Sequence, residues 1–63
     1  MTLKELLDKN QYKHYDIIYD TQIVGMEYSY PKPRYLEMKV LGMQMHENTG
    51  LYQHPHYTIF IGE

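Results

Sequence analysis

His14-Tyr15-Asp16-Ile17-Ile18-Tyr19-Asp20 decides how the chain folds. Tyr15, Ile17 and Tyr19 fall on one side of an extended backbone, and Asp16, Ile18 and Asp20 on the other, the period of two that marks a strand. The residues before this stretch keep a different period. Thr2-Leu3-Lys4-Glu5 fits a capping box, and Leu3, Leu6 and Leu7 then share one helical stripe while Lys4, Glu5 and Asp8 face water. Asn10 is the expected stop, because Asn tolerates the left-handed conformation. A helix of two turns does not persist alone, so its leucines must pack on the strands that come after it.

Beyond Asp20 the strand pattern recurs. Asp20-Thr21-Gln22 reads as a turn, and Ile23 to Tyr30 as a second strand with Gly25 marking a bulge. Pro31-Lys32-Pro33 ends regular pairing and predicts a loop, since proline donates no hydrogen bond to a ladder. Leu36, Met38 and Val40 alternate with Glu37 and Lys39. The apolar set then slips by one to Leu41, Met43 and Met45, which predicts a bulge beside Gly42 in a third strand. Asn48-Thr49-Gly50 supplies a turn and Pro55 a break, and His56 to Ile61 forms the fourth strand. Short connections favour antiparallel neighbours. The expectation is one α+β domain over residues 1–63: a short N-terminal helix packed on a four-stranded, mainly antiparallel sheet, in the order α-β-β-β-β.

Composition narrows the function classes. A chain of 63 residues buries only about 60% of the surface its unfolded form exposes, so its core is thin. With no cysteine, disulfides and thiolate metal sites are excluded, leaving self-association or a histidine metal site to supplement the core. Cysteine-free composition, with neither a basic-then-apolar leader nor a run of about 18 apolar residues, points to a soluble protein of the cytoplasm. A net charge of -2 with interspersed signs disfavours nucleic acid, whose binders show a basic stripe. Lys32, Arg34 and Lys39 form a local basic cluster that reads as a solvated strand edge. Met26, Met38, Met43 and Met45 read as gap-filling core residues that also suit an adaptable binding surface.

Tyrosine is the outlier, at 8 residues against one Phe and no Trp. A half-buried sheet face favours such rings, and so does a protein interface. The N-terminal leucine stripe covers one face of a sheet, which leaves the other face, rich in tyrosine or methionine, partly bare. Tyr28, Tyr30 and Tyr35 flank the proline-stiffened loop and are the candidate contacts to a protein partner.

Two constellations carry other chemistry. His46, His54 and His56 approach one another across the last hairpin, and three imidazoles with Glu47 or water suit zinc. Asp16 and Asp20, with Glu27 opposite, form the carboxylate set that holds magnesium in a metal-dependent nuclease. The bland alternatives are loop histidines in water, a solvated Asp16 and Asp20 as a turn starter. Ser29 is isolated, and Thr49 and Thr58 have no His and Asp neighbours at telling positions, so nothing points to a nucleophile.

Thr2-Leu3-Lys4-Glu5-Leu6-Leu7, Tyr15-Asp16-Ile17-Ile18-Tyr19-Asp20 and Tyr57-Thr58-Ile59-Phe60-Ile61 together resemble, in layout, small uncharacterised proteins of phages and integrative elements of Firmicutes. Some small phage-borne domains, anti-CRISPR proteins among them, act by covering a surface of a host defence complex. The resemblance implies a non-enzymatic inhibitor and carries over no site residue. A metal-dependent nuclease on Asp16 and Asp20 or the histidines is the alternative, and a self-associating subunit that pairs its own sheet edges is a third.

Overall fold

The structure is a computed structural model that describes residues 1–9, 12–47 and 55–63. Its elements run α1 (Leu3–Asp8), β1 (His14–Tyr19), β2 (Gln22–Met26), α2 (Pro33–Leu36), β3 (Lys39–His46) and β4 (His56–Gly62). The capping box at Thr2 forms as the sequence requires. Thr2 Oγ1 accepts the Glu5 amide at 3.2 Å, and Glu5 Oε1 accepts the Thr2 amide at 3.0 Å. Leu3 and Leu6 are buried and Leu7 is half-buried, so the stripe packs as a stripe. Asn10 lies outside the described residues.

The four strands form one mixed sheet in the order β2-β1-β4-β3. β1 pairs antiparallel with β2 across a two-residue turn, and β3 pairs antiparallel with β4. The central pair, β1 with β4, is parallel. These two strands carry Ile17, Ile59 and Ile61, the buried apolar residues of the sheet. The less buried strands, β2 and β3, take the edges. A bulge falls at Leu41, because Val40 faces Ile61 and Gly42 faces Phe60. In β2 the extra residue is Val24, one before Gly25, since Ile17 faces Gly25 and Ile18 faces Ile23.

Three expectations need correction. β2 stops at Met26, four residues short of Tyr30, because Met26 and Ser29 exchange backbone hydrogen bonds of 3.1 and 3.0 Å around a tight turn at Glu27-Tyr28. The Pro31-Lys32-Pro33 stretch is not only a loop. Lys32 is extended and Pro33 opens α2, where a missing N–H costs nothing. Leu36 therefore belongs to a helix, not to the third strand. Tyr35 is in turn carried inward to 8% exposure, within a core of Leu3, Leu6, Ile17, Ile59 and Ile61.

That core lies on one side of the sheet. Tyr15 and Tyr19 share their strand face with Ile17, and Tyr57 shares its face with Ile59, so these tyrosines stand on the side that α1 and α2 cover. Tyr12 stacks edge-on against Tyr57 with ring centroids 4.5 Å apart, and Tyr19 lies against Tyr35 at 5.8 Å. The tyrosine-rich surface expected to be bare is thus largely the covered one.

Candidate functional site

Strand alternation sends His14, Asp16 and Ile18 of β1 to the face opposite the helices, with His56, Thr58 and Phe60 of β4 beside them. Register places Ile23 and Met26 of β2, and Gly42, Gln44 and His46 of β3, on this same open face. The result is three rows running across the sheet. One is apolar: Ile23, Ile18 and Phe60 stand side by side, and bulged Leu41 leans over Gly62, where an added Cβ would meet its Cδ1 at 2.6 Å. Exposure along this row is 59% for Ile23, 38% for Phe60 and 67% for Leu41. The next row is Met26, Asp16, Thr58 and Gln44, and the last is His14, His56 and His46.

The histidine row unites two of the residues expected to cluster. His46 and His56 are directly opposed, with ring centroids 6.0 Å apart. His54 lies outside the described residues, and His14, which no spacing in the sequence singles out, occupies the other flank of His56. Each ring has a polar neighbour. His14 Nδ1 lies 3.4 Å from Glu27 Oε1, and His56 Nε2 lies 3.4 Å from Asp16 Oδ1. His46 Nε2 is 3.0 Å from Thr58 Oγ1. Among the described residues no three His, Cys, Asp or Glu side chains come together closely enough to hold a metal ion.

Glu27 is the most constrained carboxylate of this end. Burial pushes its carboxyl upward, but hydrogen bonds from its own amide, the Tyr15 amide and His14, with the charge of His56, outweigh burial and hold it below its ordinary value.

The carboxylate pair expected for magnesium does not form. Asp16 and Asp20 are separated by four residues of extended strand, about 13 Å, and Asp20 sits exposed in the β1–β2 turn at φ 51. They cannot share an ion. The His46–Thr58 contact overturns the expectation that Thr58 lacks a histidine neighbour, and it joins the exposed edge strand β3 to the central strand β4. A cleft of about 600 Å³ opens at the opposite end of the sheet, on Tyr19, Arg34, Glu37, Met38, Lys39 and Glu63. Its charges alternate in sign, and Tyr19 donates to Glu63 across it at 3.4 Å, so no one charge converges on a ligand.

Of the three candidate contact tyrosines, Tyr28 and Tyr30 are 84% and 61% exposed at the turn after β2. Tyr35 is a core residue whose hydroxyl accepts from Arg34, and it leaves the candidate surface. No described helix is long and apolar enough to cross a membrane. Comparison with protein-family models, with curated proteins and with solved structures gives no match.

Proposed function

We propose that this protein is a small non-enzymatic interaction module that docks a protein partner on its open sheet face. The observation that carries the reading is the apolar row of Ile23, Ile18, Phe60 and Leu41, which crosses all four strands on a face no described helix covers. Contiguous apolar surface of this kind marks interaction sites, and a row of aliphatic residues around one aromatic ring is a suitable anchor. Tyr28 and Tyr30 add exposed rings at the turn after β2, at the histidine end of the sheet. The resemblance in layout to small phage and mobile-element proteins of Firmicutes favours a partner among host defence proteins of the CRISPR type, occluded by contact and not cleaved.

Affinity capture from host lysate tests this when run beside Phe60→Lys and Ile23→Lys. The reading requires a specific protein that both substitutions release, while Lys4→Ala on the helix side retains it. Capture indifferent to both open-face charges refutes it.

A further inference from the structure

We propose that the outer edge of β3 pairs with β3 of a second copy of this chain, antiparallel, about a two-fold axis at Gln44. The chain itself shows that this edge accepts an added extended segment. Leu3 donates to the Met38 carbonyl at 2.9 Å and Val40 to the Met1 carbonyl at 2.9 Å, with Thr2 bridged to Lys39. This N-terminal arm occupies the edge as far as Val40, and Leu41 is displaced by the bulge. From Gly42 to His46 no strand among the described residues pairs with the outer side of β3.

The free window fixes the register. Directly opposed residues of an antiparallel pair share a sheet face, so the axis must pass through a residue and not between two. The midpoint of Gly42 to His46 is Gln44. In that register Met43 faces Met45 of the second copy on the helix side, twice over by symmetry, and Gln44 faces its own counterpart on the open side. His46 faces Gly42 of the second copy, where a Cβ would meet nothing within 4 Å and an imidazole has room.

Beyond the bulge, Gly42 to Met45 holds no charged residue and no proline, two of the devices that keep an edge from pairing. Met43 and Met45 are 42% and 51% exposed, and thioethers pack readily against one another. Charge across the axis is neutral, so like-sign repulsion does not oppose the pairing. An axis normal to the sheet leaves both open faces on the same side, so the pairing is independent of partner docking. Interfaces this narrow fall at the weak end, below about 1,200 Å² of buried surface, so the association is reversible and concentration-dependent.

The test uses the cysteine-free background. Gln44→Cys places two thiols across the axis with Cα atoms about 4.5–5.5 Å apart, within disulfide reach. Mild oxidation is expected to convert Gln44→Cys to covalent dimer at least tenfold faster than Glu37→Cys, which lies away from the edge. Sedimentation of the unmodified protein should show mass rising toward twice the monomer with concentration, and Met43→Lys/Met45→Lys should abolish that rise with the circular dichroism spectrum unchanged. A mass that stays monomeric through millimolar concentration, equal cross-linking rates, or a dimer lost on Phe60→Lys but kept in Met43→Lys/Met45→Lys would each overturn the proposal.

Discussion

Glu27 reaches back across the β1–β2 hairpin to accept the Tyr15 amide on Oε2 at 3.0 Å, while its own amide donates to the Tyr15 carbonyl at 3.3 Å. The side chain thus continues the ladder where β2 has already turned away. A carboxyl held below its ordinary value stabilises the fold above that value, about 4.3 for Glu, and the contribution is lost as pH falls through the lower folded value. Thermal melting followed from pH 7 to pH 2 should therefore show an acid limb that Glu27→Gln flattens. At neutral pH the same substitution should cost about 1–3 kcal/mol through the weakened acceptor. An acid limb of unchanged slope in Glu27→Gln would assign the acid sensitivity elsewhere.

Ile17 and Ile59 face each other across the parallel pair and are fully buried. Ile17→Ala or Ile59→Ala should cost about 2–5 kcal/mol, most of what a domain of this size has. Ile23→Ala, on the open face, should stay within about 0.5 kcal/mol of the parent. Urea titration by circular dichroism separates the two classes.

The β1–β2 turn places Asp20 at φ 51 and Thr21 at φ 64, a pair of left-handed residues that suits the twist of a two-residue hairpin. Thr21 is β-branched and holds that conformation against steric strain. Thr21→Gly should raise stability by about 1 kcal/mol, despite losing the Thr21 hydroxyl bond to the Asp20 carbonyl. A lower melting temperature would show the hydroxyl to matter more than the strain.

Gly25 lies beneath Pro31, and an added Cβ would sit 3.0 Å from the proline Cβ and 3.2 Å from Ile17 Cδ1. A rigid ring on one side and the core on the other leave no escape, so Gly25→Ala should destabilise by about 1–3 kcal/mol. At Gly62 the obstacle is the flexible end of Leu41, and Gly62→Ala should cost far less. Paired denaturation curves of the two variants check the difference.

Periodicity made the elements legible where one physical rule governs them. The capping box, the leucine stripe, the period of two around Ile17 and the slip beside Gly42 each follow from local geometry, and each is present. What local pattern cannot carry is which strands meet. Antiparallel hairpins suggest themselves from short connections, whereas the β1–β4 pairing joins residues more than forty positions apart and is decided by burial. The site suffered for the same reason. His14 comes beside His56 only once that parallel register exists, and Tyr35 turns inward only because Pro33 starts a helix. The alternation that set Asp16 and Ile18 apart from Ile17 was visible, but which side the helices cover was not.

The parallel pairing at the middle of the sheet also governs the order of assembly. The β1–β2 hairpin and the β3–β4 hairpin are each local, but neither edge pair can be joined to the other until the backbone has been synthesised through Gly62. Closing so long a loop is the slow kind of step, because its entropy is lost before the contacts that compensate it have formed. Until the halves dock, the nascent polypeptide holds two half-sheets with raw inner margins, a period in which a chaperone, or another nascent chain, meets the molecule in two pieces.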